Sequence, residues 1–351
     1  MLQLPQYFTL YAIYSLGQYD EEPFDTGRLP LEIANCVRIE HVAPLLREDT
    51  FDHVKSRMGT SPVEQLAGVE YALVHRYEIP ATDAHAAEKR DPREASEELV
   101  RNIAACLRLI RPMRQSALSM HGTVREDGTF DVVGFDHPIG LLETPENQKL
   151  FHLRNQDADD LLKYAPLFLQ AMNGGIWKFK MAAQFHELGH FQQFDWKARY
   201  LLWASAIESI YTSHNSEHKG TNVAKERIKW FLGETTSVYP PGDISEFLVD
   251  PHITVGSIVV PLYEVRNFLA HGDRIPDKYF TDKARGGLNG PLHVVAALSE
   301  AESFIIRQSL LKILRDGLTA HFAGAAENEA YFGGQGLTNS ELQKKKKAGS
   351  P

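Results

Sequence analysis

The N-terminal part of the chain alternates short apolar runs with polar turns. This pattern predicts strands or short helices at residues 7–16, 33–39 and 69–79. The dipeptide Asp127-Gly128 stands between alternating apolar and polar residues, which is typical of a β-hairpin turn. Residues 1–145 are therefore predicted to form a mixed α/β domain.

Within that region, residues 81–98 are charged and poor in apolar side chains, which favours a loop leading into a helix. Apolar residues then recur at helical spacing over residues 96–110. Ser96 precedes them and is a suitable N-cap, because its hydroxyl can accept a hydrogen bond from a free backbone N–H.

From about residue 146 the pattern changes to long helical periods. Helices are predicted at 157–172, 178–210 (with a break near Asp195), 223–232, 243–249, in a segment ending at Ala270, and at 293–314. Residues 146–320 are therefore expected to form a helical domain, so the whole chain is of the α+β class. Residues 323–336 are rich in Gly and Ala, and a basic run follows at Lys344–Lys347. Residues 321–351 are therefore predicted to form a flexible, solvated tail.

Composition narrows the class of protein. The chain has 351 residues with 37 basic and 46 acidic side chains, a net charge of −9, and 43% hydrophobic residues. These values are typical of a globular chain of about two domains. The two cysteines cannot build a disulfide framework, and no apolar stretch reaches the ~18 residues of a membrane span. We therefore expect a cytoplasmic protein that does not enter a membrane. The acidic balance argues against broad non-specific nucleic-acid binding.

Residues 186–190, HELGH, match the zinc motif H-E-x-x-H. One helical turn separates His186 from His190, so both imidazoles can face one metal ion while Glu187 activates the bound water. A third ligand is required. Glu208 stands at a spacing similar to that in metallopeptidases that use a glutamate for this purpose.

Three observations weaken the zinc hypothesis. The stretch between His190 and Glu208 contains no Gly or Pro, and as one helix it would separate the two side chains by roughly 27 Å. Only a break near Asp195 would bring them together. Gln192 occupies a position where metallopeptidases usually carry an apolar residue, and Glu208 has another interpretation, given below. A structural or surface role for the two histidines is therefore favoured, and zinc remains the minor alternative.

A second motif, RNFLAH at residues 266–271, ends a predicted helix just before Gly272, a natural C-terminal cap. His271 would lie in the last turn, where the helix dipole favours imidazolium. Asn267 shares its face, and the long side chain of Arg266 can reach the same space. Guanidinium binds phosphate through paired hydrogen bonds, and imidazole moves protons near neutral pH. This combination suits a phosphodiester, although the spacing alone favours the simpler interpretation, a satisfied histidine at a helix end with a solvated arginine.

The string LYEVRNFLAHGD resembles the signature of the HEPN superfamily, in which Arg, a polar residue and a short spacer precede His. Ala206-Ile207-Glu208 in RYLLWASAIESIYTS resembles an early HEPN helix, and AKERIKWFLG resembles the next one. Upstream, EELVRNIAACLRLIRP is similar to the N-terminal region of Apea-like members. The resemblance covers roughly residues 155–315.

The resemblance implies an antiparallel helical bundle that pairs as a homodimer. It also implies a metal-independent endoribonuclease, acting in phage defence or as a toxin, in which two Arg–His motifs meet across the dimer. Arg266, Asn267 and His271 would then be catalytic on RNA, with no cofactor. Glu208 would support the site, together with Tyr263 and Asp273, which flank the signature.

Three hypotheses stay open at this stage. The helical domain is either a catalytic HEPN ribonuclease or a non-catalytic HEPN module for dimerisation or binding, and a zinc metallopeptidase is the less favoured third reading. The N-terminal domain carries no comparable motif, and we expect it to sense a trigger or select a target.

Overall fold

The structure is a computed structural model that describes residues 6–14, 24–46, 50, 52, 56, 69–79, 91–111, 119–136, 153–190, 196–238, 253–276, 279 and 291–348. The chain divides into two compact units, Met1–Leu169 and Gln170–Pro351. This division comes later than the boundary at 145 predicted from the sequence. The class is α+β, with the described strands in the first unit.

The first unit is built on one antiparallel sheet. Its strands are β1 (Gln6–Tyr14), β2 (Leu31–Ala34), β3 (Val37–His41), β4 (Val69–Glu78), β5 (Ser119–Val124) and β6 (Phe130–Asp136). Their order across the sheet is β2-β3-β4-β1-β5-β6. The predicted hairpin is confirmed, since β5 and β6 pair and Gly128 takes the positive φ of 82° that such a turn requires.

The two faces of β1 contact different parts of the unit, because successive side chains of a strand point to opposite sides. Phe8 and Leu10 belong to an apolar core with residues of β4, β5 and β6. On the other face, the hydroxyl of Thr9 accepts a 2.8 Å hydrogen bond from Ser96, and Tyr11 accepts one of 2.6 Å from Arg108. Both donors lie on α1 (Pro92–Ile110), so this helix covers that face of the sheet.

The helix α1 starts earlier than the sequence pattern suggested. Its N-cap is Asp91, whose carboxylate accepts a hydrogen bond from the backbone N–H of Arg93, and Pro92 stands in the first turn. The prediction of Ser96 as the cap is therefore wrong. Ser96 is a buried residue inside the helix, where its hydroxyl serves packing against the sheet.

Helices follow from residue 155 onward. They are α2 (Asn155–Asn173), α3 (Trp177–His190), α4 (Trp196–Tyr211), α5 (Thr221–Leu232), α6 (Val255–His271), α7 (Pro291–Arg315), α8 (Ala325–Gly333) and α9 (Asn339–Ala348). The helix α2 passes through Pro166 without ending. The long helical segment 178–210 is two helices, as the break near Asp195 predicted, although Asp195 and Gln192 lie outside the described residues. The predicted helix 243–249 lies outside them too.

In the second unit, α3 and α4 run antiparallel. The indole N–H of Trp203 donates to the carbonyl of His186 at 2.9 Å, and Gly189 lies so close to the same indole that a Cβ would stand 2.2 Å from Nε1. The helices α4 and α7 are tied by the hydroxyls of Tyr211 and Ser309 at 2.5 Å. Within the described residues, no helix combines the length and the apolar character needed to cross a bilayer.

The prediction of a flexible tail from residue 321 differs from the structure. Residues 325–333 and 339–348 are helical, and Phe322, Asn328 and Phe332 are fully buried. A few tertiary contacts hold this segment on the helical unit. Phe322 and Phe332 pack against Phe231 of α5, and the side chain of Asn328 donates a hydrogen bond to the carbonyl of Ile210. Composition rich in Gly and Ala concealed them.

Candidate functional site

The motif at residues 266–271 ends α6 as the sequence predicted. Thr254 begins this helix with a capping box, and Gly272 ends it in the left-handed conformation at φ 71° and ψ 17°. The N–H of Gly272 donates to the carbonyl of Leu269 at 3.3 Å, and that of Asp273 donates to the carbonyl of Phe268 at 2.8 Å. Asp273 is thus part of the helix cap through its backbone, and its side chain is exposed.

Arg266 is held by a carboxylate from another helix. Its Nη2 lies 2.7 Å from Oε1 of Glu208 on α4, and its Nη1 donates to Oδ1 of Asn267 at 3.1 Å. The side chains of Arg266 and Glu208 are 27% and 30% exposed, so solvent reaches both partners. The structure therefore brings Arg266, Asn267 and Glu208 together at a site that solvent partly reaches.

His271 stands apart from this group. It lies five residues after Arg266, or roughly 7–8 Å along the helix axis, and well around the helix from it. Its side chain is exposed, and among the described residues it makes no hydrogen bond or ion pair. Within one chain, Arg266 and His271 are therefore near neighbours at one helix end without a direct contact.

Tyr263 lies on the buried side of the same helix. Its side chain is buried, and its hydroxyl has no hydrogen-bond partner within the described part of the chain. Burial raises the pKa of this hydroxyl well above its ordinary value; the charge of Glu208 adds to the effect, and Arg266 opposes it. Tyr263 therefore stays a neutral phenol beneath the ion pair.

The end of α4, which carries Glu208, is fixed by side chains that sequence reasoning missed. Its last carbonyls would lack partners in an isolated helix. Lys178 donates to the carbonyls of Ser209 and Thr212, Asn328 donates to Ile210, and Arg227 donates to Tyr211. Four successive carbonyls are thus satisfied by three buried side chains from α3, α5 and α8.

Two of these capping groups are cations in an apolar setting. Arg227 is fully buried, and Lys178 is 9% exposed. The pKa of Lys178 is lowered to about 8. Burial is the main cause, the charge of Arg227 contributes in the same direction, and the charge of Glu329 opposes the shift. Burial likewise lowers the pKa of Arg227 to about 10. The backbone carbonyls that accept their hydrogen bonds stabilise both charges in the interior. No sequence pattern distinguishes such buried cations from solvated ones.

The HELGH motif is only partly buried: His186 and Gly189 face the interior, and Leu188 is exposed. His186 is fully buried, and its Nε2 lies 3.1 Å from the hydroxyl of Ser303 on α7 and 3.4 Å from Nε2 of His190. Its ring also stacks on Trp203. Glu208 pairs with Arg266 instead of joining the two histidines. Within the described residues, no three His, Cys, Asp or Glu side chains are arranged to hold a metal ion.

A fully buried carboxyl group lies on the same helix as Ser303. Glu302 is 1% exposed, and its Oε2 has no hydrogen-bond partner within the described residues. Burial raises the pKa of this carboxyl well above its ordinary value, and the charge of Arg199 opposes the shift. Its surroundings therefore favour the protonated form of the carboxyl group, and no sequence pattern pointed to this residue.

Comparison with known proteins gives no relative. A scan against protein-family models, a search of curated proteins and a search of solved structures each return no match.

Proposed function

We propose that this protein is a metal-independent endoribonuclease of the HEPN type that cleaves RNA with Arg266 and His271. The observation that carries the proposal is the arrangement at the end of α6. There a solvent-reachable guanidinium is oriented by Glu208 at 2.7 Å, and an unengaged imidazole stands one to two turns further along the same helix. The sequence resemblance supports the same pairing.

The chemistry uses the nucleophile that RNA carries. His271 takes the proton of a ribose 2′-hydroxyl, whose oxygen attacks the adjacent phosphorus and forms a new P–O bond. The bond to the 5′-oxygen of the next nucleotide breaks, and that oxygen receives a proton from an imidazolium. Arg266 stabilises the negative charge on the phosphorane oxygens, and Asn267 orients the guanidinium through the hydrogen bond at 3.1 Å. The products are a 2′,3′-cyclic phosphate and a free 5′-hydroxyl.

We place the working site between two copies of the chain. One His271 has to accept a proton and another imidazole has to donate one, and Arg266 and His271 do not touch within a chain. A homodimer with two motifs facing each other supplies both imidazoles and both guanidinium groups. The biological setting, phage defence or toxin-like growth arrest, rests on the resemblance.

The test compares the purified protein with its Arg266→Ala variant on total RNA in EDTA. Loss of the charge stabiliser should slow cleavage by ~10²–10³-fold. The matched control is Arg101→Ala, because Arg101 is an exposed arginine of the other unit. A DNA of the same sequence should survive, since it lacks the 2′-hydroxyl. Equal cleavage by the parent protein and Arg266→Ala would contradict the proposal.

A second candidate is a non-catalytic HEPN module that binds or dimerises. The ion pair with Glu208 favours it, because that carboxylate occupies one edge of the guanidinium that a phosphate would need. This candidate predicts a dimer that leaves RNA uncut under all conditions, and the same assay separates the two.

A further inference from the structure

The helix α9 is a fixed, basic surface. Asn339 donates to the carbonyls of Ser216 and Lys219, and Ser340 donates to the carboxylate of Glu217 from its N–H at 2.9 Å and its hydroxyl at 2.8 Å. Both residues are in the first turn of the helix. These contacts hold the start of α9 on the loop between α4 and α5, so its lysines are carried by an ordered element.

The charge of α9 is segregated from that of the rest of the chain. Residues 339–348 contain four lysines and one glutamate, whereas the whole chain has a net charge of −9. Lys344–Lys347 are all exposed. The ammonium group of Lys345 contacts the carbonyl oxygen of Gly336 at 3.4 Å, and the carboxylate of Glu341 lies beside the same glycine. Glu341 is the one acidic residue of this helix, so α9 keeps an excess of positive charge.

An exposed aromatic side chain adjoins this helix. Trp230 on α5 is 43% exposed, and its ring packs edge-on against Tyr331 and Phe332 at centroid distances of 5.9 and 6.2 Å. The carbonyl of Phe332 accepts a 3.1 Å hydrogen bond from the N–H of Leu337. Gly336, which precedes Leu337, is the residue that Lys345 contacts. The indole of Trp230 and the ammonium group of Lys345 therefore both adjoin the turn at residues 332–337.

We propose that α9 and Trp230 together form a surface that binds single-stranded RNA. Lysines neutralise phosphates along a strand, and an exposed aromatic face stacks a base without regard to sequence. The proposal rests on the proposed function for the choice of RNA as partner. Lipid is the weaker fit, because α9 has no bulky apolar residue among its exposed positions 343–348, which a helix lying in a membrane surface needs.

The position of this surface suits a substrate-holding role. The loop that anchors α9 directly follows α4, whose Glu208 pairs with Arg266. The helices α4 and α6 run the same way, since Tyr200 bonds to Leu262 and Glu208 to Arg266. The basic helix therefore starts at the same end of the unit as the end of α6 that carries His271.

The experiment measures binding of a fluorescent 20-nucleotide poly(U) RNA by anisotropy over a range of salt concentrations. All proteins carry His271→Ala so that the RNA stays intact. The test variant is Lys344→Gln/Lys347→Gln, and the control is Lys163→Gln/Lys180→Gln, which changes the net charge equally. The slope of log K against log salt should fall by about 0.7 for each lysine lost, or about 1.4 for the test variant. The control should keep the parental slope.

The aromatic part is tested with Trp230→Leu and Trp230→Phe in the same background. Loss of stacking in Trp230→Leu should weaken binding roughly tenfold, and Trp230→Phe should restore most of it. Thermal midpoints of all variants check that the fold is intact. Equal slopes for the test and control lysine variants, or binding of phosphatidylserine vesicles without binding of RNA, would overturn the proposal.

The two proposals fail in different ways. If the parent protein binds RNA through α9 but never cuts it, the surface stands and the nuclease function falls. If Arg266 and His271 prove essential for cleavage but the α9 variants bind RNA like the control, the nuclease stands and the surface falls.

Discussion

Nη2 of Arg266 lies 2.7 Å from Oε1 of Glu208, across the contact between α6 and α4. In the proposed ribonuclease, this carboxylate has two opposed effects on the guanidinium of Arg266. It fixes the orientation of the side chain, which favours catalysis, and it competes with the phosphate for the same hydrogen atoms. Both side chains are partly exposed, so a phosphate in solution can reach the pair and compete with Glu208 for Arg266.

Glu208→Gln should separate the two effects. Without the negative charge, Arg266 is free for phosphate but poorly oriented, so RNA should bind at least as tightly while turnover falls roughly tenfold or more. A partly exposed ion pair contributes little stability, so the free energy of unfolding should change by less than ~1 kcal/mol. Glu327→Gln, an exposed glutamate of α8, is the control. Unchanged turnover would mean that Glu208 does not position Arg266.

The lysine that caps α4 should give an unusual pH dependence. Burial lowers the pKa of Lys178 from 10.5 to about 8, so between these values the unfolded chain binds more protons than the folded protein. The contribution of Lys178 to the free energy of unfolding therefore rises between pH 8 and 10.5, by on the order of 2–3 kcal/mol. The neutral amine retains two N–H groups, enough for the carbonyls of Ser209 and Thr212.

The measurement is urea unfolding of the parent protein and Lys178→Met from pH 7.5 to 10.5. Titrations of other groups cancel in the difference between the two proteins. The parent should gain stability relative to the variant as pH rises. A relative loss in the same range would show that the ammonium charge itself stabilises the end of α4.

The elements with strong local signals were predictable from the sequence. The turn at Asp127-Gly128 and the end of α6 at Gly272 require backbone conformations that glycine adopts readily, so short patterns identify them. The positions of Arg266 and His271 at that helix end followed from the same pattern. Their exposure and the lack of contact between them did not.

The features that the sequence concealed depend on tertiary contacts. Glu208 and Arg266 belong to different helices, and no periodicity reveals that they pair. Arg227 and Lys178 resemble ordinary surface cations until the carbonyls at the end of α4 are seen to surround them. The helices after residue 321 are stabilised by Phe322, Phe332 and similar anchors, which a composition rich in small residues obscures.

Glu302 predicts the opposite pH trend from Lys178. Because burial raises its pKa well above 4.5, the folded protein retains a proton that the unfolded chain loses. Its contribution is fully present below pH 4.5 and declines as pH rises above that value. Glu302→Gln, which cannot ionise, should therefore become increasingly more stable than the parent from pH 4.5 to 8. Thermal unfolding measures this, and a difference that does not vary with pH would contradict the neutral state of Glu302.

The close approach of α3 and α4 is tested at a glycine. In Gly189→Ala the new Cβ would stand 2.2 Å from Nε1 of Trp203, which is too close, so the helices must shift at a cost of ~1–3 kcal/mol. Gly333→Ala is the control, since the nearest atom to its Cβ is Cε1 of His218 at an ordinary 3.7 Å. That change in α8 should be neutral or stabilising by up to ~1 kcal/mol. Equal effects in chemical denaturation would argue against the packing described.

The central claim is that the imidazole of His271 moves the proton in RNA cleavage. The most direct measurement is the cleavage rate of a defined RNA by the parent protein, by His271→Ala and by His214→Ala, a control that removes another exposed histidine. We expect His271→Ala to be slower by ~10²–10⁴-fold, with its fold and dimerisation intact, and His214→Ala to match the parent. Cleavage by His271→Ala at the parental rate would contradict the account.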